Sequence, residues 1–174
     1  MKTLAAAISL AAEYHKGALC LDGTPYILHP LKVASHVEGE AAKIVAVCHD
    51  LLEDTDCSVE TLRDLLGDQN LDQYTPDDVL QAIILLTKEE LSKFDIRSSH
   101  ERYMDYIRLL NIRSGPAAEL ACKVKIQDLT HNMDISRIPK THPMYAYILR
   151  KICITYHAAY MLLAHGVEMR TTTC

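Results

Sequence analysis

The chain lacks any apolar run of about 18 residues, the length a membrane-spanning helix requires, so no transmembrane segment is expected. It also lacks a CxxC pair among its six cysteines, Cys20, Cys48, Cys57, Cys122, Cys153 and Cys174. Three of them stand in apolar helical runs, so buried free thiols in a reducing compartment are expected rather than disulfides. None has a placed histidine partner and a basic neighbourhood, which argues against a nucleophilic thiol. A basic excess is missing too: 18 lysines and arginines against 23 acids leave a formal net charge of −5. That balance gives no reason to bind nucleic acid. A phosphate-bearing partner would have to be held by a local device, such as a metal ion or a few lysines. The opening MKTLAAAISLAAEYH is not expected to be a signal peptide, because Glu13, Tyr14 and His15 interrupt the small-residue stretch too soon. A cytoplasmic protein, free of membrane, is therefore expected. Convincing period-two runs, internal repeats and low-complexity tracts are absent.

What is present is helical punctuation in a chain of 174 residues, 49% hydrophobic and 24% charged, which suits one domain. The expected division is a single domain over 1–170 and a disordered tail over 171–174. Thr3 can cap a helix to about Lys16, and Pro30 suits the start of the next. EGEAAKIVAVCHDLLED places Ala42, Val45, Ala46 and Cys48 on overlapping apolar faces, so one helix buried on several sides is expected there. Ser58 opens a short helix and Gly67 closes it. Thr75, Pro76, Asp77 and Asp78 supply a cap, a first-turn proline and two acids at the positive end of a dipole. Ser98 and Glu101 form a capping box. Ser114 and Pro116 start AAELACKVKIQDLTHNM, and Pro143 starts a last helix that ends at Gly166. The fold class is all-α, with a polar, mobile loop over 88–97.

One stretch resists a purely structural reading. AVCHDLLEDT puts His49, Asp50, Glu53 and Asp54 into an otherwise buried helix. At helical spacing His49 stacks over Glu53 and Asp50 over Asp54, so four polar groups share one broad face. An imidazole beside a carboxylate is a common beginning of a divalent metal site, because both offer lone pairs and the acid offsets the cation's charge. His29, between prolines in PYILHP, and Asp128, inside the apolar helix CKVKIQDLTHNM, share this unusual context. An unpaired buried carboxylate costs several kcal/mol, and a metal shared by His29, His49, Asp50 and Asp128 would remove that cost.

HKGALCLDGTPYILHPLKVA, AVCHDLLEDT, LLTK and CKVKIQDLTHNMD resemble, in order and spacing, the HD-domain hydrolases of the RelA/SpoT type, including small stand-alone alarmone hydrolases. The likeness runs from about His15 to Arg137. It implies an HD-domain helical bundle in which His29, His49, Asp50 and Asp128 ligate one divalent ion, usually manganese in that family. Iron, zinc or cobalt suit the same donors. Glu53 and Asp54 match the pair that positions or deprotonates the attacking water. The bond cut in that family is the ester joining a 3′-pyrophosphate to the ribose of guanosine tetraphosphate. Lys125 and Asn132 match pocket-lining positions, and Tyr26 and His15 are further candidates for substrate contact.

The chain departs from the family's HxGQxR segment, with Ala18 for the glutamine and Cys20 for the arginine. A planar cation able to stack on a base or hold phosphate is thereby lost. The leading expectation is a metal-dependent phosphohydrolase acting on a small phosphorylated nucleotide. The alternatives are a related hydrolase with another nucleotide substrate and a catalytically idle nucleotide sensor. On its own residues, Lys125 reads either as a snorkelling lysine or as a phosphate contact, and His131 as a supporting residue rather than a ligand. His36, His100, His142, His157 and His165 have no partnered acid at suitable spacing and are expected at the surface or in the core. A homodimer through the Met- and Tyr-rich last helix is a further possibility.

Overall fold

The computed structural model describes residues 2–68, 71–88 and 98–172. Among the described residues ten α-helices carry the fold: α1 Lys2–Tyr14, α2 Leu28–Ala34, α3 Glu40–Cys48, α4 Leu51–Asp54, α5 Val59–Leu66, α6 Pro76–Leu86, α7 Ser99–Ile112, α8 Pro116–Asn132, α9 Tyr145–Lys151 and α10 His157–Thr172. A 3-10 turn, Ile135–Arg137, follows α8, and a π-helical segment, Ile152–Tyr156, joins α9 to α10. Among the described residues the only β features are two isolated bridges, Leu19 with Pro25 and Leu71 with Tyr74, so the chain is all-α as expected. No described helix is long and apolar enough to cross a membrane.

α3 is the axis of the core. Ala41, Ala42, Ile44, Val45, Ala46, Val47 and Cys48 are all buried, because α1, α2, α6 and α8 pack around it. Small residues at 41, 42 and 46 let those helices approach closely, while Ile44 and Val45 fill the gaps between them. Truncating a fully buried residue such as Ile44 to alanine removes about 2–5 kcal/mol at sites of this kind. α8 lies along α6 and carries α7 and α10 on its other side.

Three caps stand where the sequence places them. Ser58 accepts from Thr61 N–H, and Thr75 and Ser98 each complete a capping box, with Asp78 and Glu101; each such cap stabilises by about 1 kcal/mol. α3 is capped from a distance instead. Asp72 accepts from the Ala41 N–H at 3.0 Å, and Gly39, at φ 86°, leaves room for it, since a Cβ there would stand 2.8 Å from the Asp72 carboxylate.

Several expectations need correcting. Thr3 lies inside α1, which is already helical at Lys2, and α8 is preceded by Gly115 as its cap rather than Ser114. Gly166 does not end the last helix, which runs to Thr172. It is a glycine because the side chain of Asn111 on α7 occupies the space a Cβ would need, with Oδ1 1.9 Å from that position. Residues 171 and 172, expected in a tail, continue α10, while 173–174 and the expected loop at 89–97 lie outside the described residues. The single helix expected over 38–54 is broken at His49 and Asp50. There the His49 ring turns back to the Ala46 carbonyl, 2.7 Å from Nδ1, the acceptor that a continuing helix would offer to the Asp50 N–H. Asp50 sits at φ −101°, ψ −3°.

Candidate metal centre and pocket

Three helices bring the donors together. α2 supplies His29 near its start, the break after α3 supplies His49 and Asp50, and α8 supplies Asp128 from its last turns. One donor atom each from His29, His49 and Asp128 lies within 4.8 Å of the others, and all three residues are buried. His29 Nε2 is 3.2 Å from Asp128 Oδ1 and 3.5 Å from Asp50 Oδ2. His49 Nε2 is 3.0 Å from Asp50 Oδ2 and 3.7 Å from Asp128 Oδ1. The helical break is what lets His49 and Asp50, neighbours in sequence, face the same point.

The buried acid is not unpaired, contrary to the sequence-based argument for a metal. Lys125 Nζ donates to Asp128 Oδ2 at 2.7 Å, and Asn132 Nδ2 donates to Oδ1 at 2.6 Å. Lys125, 5% exposed, lies 5.8 Å from the ring centres of both Tyr103 and Tyr106. It therefore serves Asp128 in this structure, although it also lines the pocket. A different observation fits the centre to a cation: His49 Nε2 is buried with no hydrogen-bond partner among the described residues. A buried ring nitrogen set between two carboxylates without a directed hydrogen bond is a place where a cation can replace a proton. The His/Asp cluster has the donor set of a divalent metal site.

The electrostatics agree. Burial pushes His49 down, but the charges of Asp50 and Asp128 outweigh it and raise the imidazole to about 10. Burial pushes Asp128 up, yet Lys125 and the two histidines hold it well below the usual carboxylate range. The negative field at this point is thus strong enough to retain a positive charge.

The acids after the break turn in different directions. Tyr26 O–H donates to Asp50 Oδ2 at 2.6 Å and approaches Asp54 Oδ2 at 3.1 Å, and burial followed by the Asp50 charge drives its phenol far above the ordinary range. Asp54 is itself raised, by burial first and then by Asp50. Glu53 reaches the end of α6 and pairs with Lys88. The expected stacking of His49 over Glu53 is replaced by this contact. His15 is buried behind Tyr26, ring centres 4.7 Å apart, and does not line the pocket.

The centre opens into a cavity of about 770 Å³. Tyr26, His29, Asp50, Glu53, Asp54, Lys125, Asp128 and Asn132 line one end. The rest of the lining holds residues without an assigned role in the sequence: His100, Tyr103, Arg137, Arg150, Lys151 and Tyr156. His100, expected at the surface or in the core, instead bonds through Nδ1 to Thr155 Oγ1 at 2.9 Å. The π-helical segment makes this contact, its wider turn carrying buried Thr155 toward α7; such segments recur at functional sites. Lys151 Nζ lies 5.0 Å from the Tyr156 ring centre. Arg137, in the 3-10 turn, reaches Asp22 at 3.5 Å and donates to the His131 carbonyl at 3.3 Å. Cys20 shares this wall, so a guanidinium stands near the position where the family arginine was missing. The signal for Arg137 lay in NMDISRIP, a stretch with no helical or metal-ligand period to mark it.

No family model matches the chain. It is 32% identical over 130 residues to a GTP pyrophosphokinase of Myxococcus xanthus, covering 71% of this chain and 16% of that protein. It is 30% identical over 131 residues to a probable guanosine-3′,5′-bis(diphosphate) 3′-pyrophosphohydrolase of Synechocystis sp., covering 73% of this chain and 16% of that protein. Over 69 residues it is 42% identical to a guanosine-3′,5′-bis(diphosphate) 3′-pyrophosphohydrolase of Danio rerio, 34% of this chain and 38% of that one. The chain thus spans about a sixth of the first two relatives. A solved structure of a metazoan ortholog of SpoT, described as hydrolysing ppGpp, superimposes with a TM-score of 0.63 at 20% identity, covering 98% of this chain and 96% of that chain.

Proposed function

We propose that this chain, whose helices form an HD fold like that of the (p)ppGpp hydrolases, is a metal-dependent phosphohydrolase that removes a 3′-pyrophosphoryl group from a guanosine tetraphosphate-like nucleotide. The observation that carries it is the orphaned His49 Nε2, set among His29, Asp50 and Asp128 at the floor of a nucleotide-sized cavity. The names of the Synechocystis and Danio rerio relatives support the same substrate.

His29, His49, Asp50 and Asp128 would hold the ion, with manganese the first choice and iron, zinc or cobalt compatible with the donors. When bound, a divalent ion supplies positive charge to a phosphoryl oxygen and makes water more acidic. Asp54 and Glu53 are the bases beside the centre. Asp54, with its carboxyl raised, is suited to take the proton of the attacking water, and Glu53, held by Lys88, is suited to orient that water. Water oxygen bonds to the phosphorus next to the ribose, the P–O bond to the ribose 3′-oxygen breaks, and that oxygen takes up a proton. Pyrophosphate and a nucleoside 5′-diphosphate with a free 3′-hydroxyl result. Lys125 and Asn132 keep Asp128 in place, Tyr26 bridges Asp50 and Asp54, and the far wall supplies cations and aromatic faces for phosphate and base.

The test is manganese-dependent pyrophosphate release from guanosine tetraphosphate, with Asp50→Ala protein as the blank. Release that is lost in the variant supports the assignment. Cys20 in the pocket wall favours one second reading, a different phosphorylated nucleotide as substrate. Absence of release from manganese-loaded protein, with turnover of another nucleotide in a panel, would select it.

A further inference from the structure

Both imidazoles of the centre point Nε2 at the carboxylates. A ring that offers its Nε2 lone pair to a cation must carry its proton on Nδ1, and a buried N–H requires an acceptor. For His49 that acceptor is the Ala46 carbonyl, 2.7 Å away. It belongs to the backbone and accepts in every circumstance. For His29 the only group at Nδ1 among the described residues is another imidazole nitrogen, Nδ1 of His131, also at 2.7 Å. The two rings stack with centroids 4.9 Å apart and planes 29° apart.

Two nitrogens at that distance share one proton, and its owner decides what His29 can do. If His131 donates, the proton of His29 is forced onto Nε2, where Asp128 and Asp50 would receive it and a cation would be shut out. If His131 accepts, Nε2 is free. We infer that His131 is the positioning residue that fixes the tautomer of His29: its Nδ1 accepts the His29 Nδ1–H, its own proton sits on Nε2, and the His29 lone pair is thereby aimed at the centre. This rests on the metal reading proposed above. His131 is no ligand, since its nearer nitrogen is committed to His29. It acts through a partner's proton, as the groups behind metal-bound histidines do.

The decisive experiment titrates Mn2+ into the full chain by calorimetry for the wild type, His131→Leu and His131→Asn. Asparagine places an accepting oxygen where Nδ1 stands; leucine places none. The expected result is Mn2+ binding weakened about 10–100-fold by leucine and held within about 3-fold by asparagine. In the unmodified chain loaded with Zn2+, long-range proton–nitrogen NMR should find the proton of His29 on Nδ1 and that of His131 on Nε2. Equal affinity for wild type and leucine variant, failure of asparagine to restore binding, or a His131 protonated on Nδ1 in the Zn2+ form would overturn the assignment. The NMR measurement decides the matter even where the leucine variant fails to fold. A wild type that binds neither ion would sink the metal reading itself and this inference with it, an outcome distinct from equal binding by all three proteins.

Discussion

The two ends of the pocket are built in opposite ways. At the metal end, four donors come from α2, the α3–α4 break and α8, elements packed on the core, and Asp128, His29 and His49 are buried. The partners of Asp128 and His49 are local and short: Lys125 and Asn132 are within one turn of Asp128, and His49 is tied to Ala46. On the remaining wall, the side chains come from α7, the 3-10 turn, α9 and the π-helical segment, and Arg150 and Lys151 of α9 are exposed. A rigid, dehydrated cluster suits a cation whose ligands cannot shift. An open wall of cations and aromatic rings suits a substrate that enters and leaves. On the proposed function, the buried cluster carries the chemistry and the open wall the recognition.

Mutations sharpen that contrast. The largest effect belongs to the buried end. Asp50→Ala should lose manganese on desalting and lose turnover with it, while Asp128→Ala should also lower stability by about 3–5 kcal/mol, because Lys125 is left charged and unpaired in the interior. Metal analysis beside denaturant melts separates the two; an Asp128→Ala protein as stable as the wild type would show that Lys125 does not depend on its partner. Next comes Glu53→Gln, which should retain manganese and reduce kcat about 100-fold. Unchanged kcat would remove Glu53 from the water-handling role and leave it as the partner of Lys88.

At the far end the signature changes from kcat to KM. Arg137→Ala should raise KM about 10–100-fold, the worth of a charged hydrogen bond, with manganese retention intact. A KM that does not move would detach this wall from the substrate and collapse the comparison. The smallest effect is expected from Lys151→Ala, a few-fold rise in KM, because its exposed charge is screened by solvent. A larger rise than that of Arg137→Ala would place the anionic contact at the end of α9 rather than on the 3-10 turn.

How much of this was legible follows from the same contrast. Ser58, Thr75 with Asp78, and Ser98 with Glu101 announced their helices because a cap is a local chemical event, complete within four residues. His29, His49, Asp50 and Asp128 stood out because polar residues in buried surroundings violate the hydrophobic pattern around them. The reason first given for a metal, an unpaired Asp128, was nevertheless mistaken, since Lys125 is three residues away on the same helix and its charge was already in view. His100 looked unpartnered because its partner, Thr155, is 55 residues distant in sequence. Gly166 looked like a stop signal, although the side chain of Asn111 across α7 and α10 is what requires it.

The sequence by itself determined the helical class, the caps at Ser58, Thr75 and Ser98 and the candidate donors, because hydrogen bonding along the chain and the aversion of charge to apolar surroundings act over a few residues. Only the tertiary structure decided the rest. It broke the helix at His49, turned Glu53 to Lys88, set His131 behind His29, and assembled the far wall from Arg137, His100 and the π-helical segment. Those contacts join residues with no shared period, and what brings them together is the packing of helices around α3, which no local pattern records.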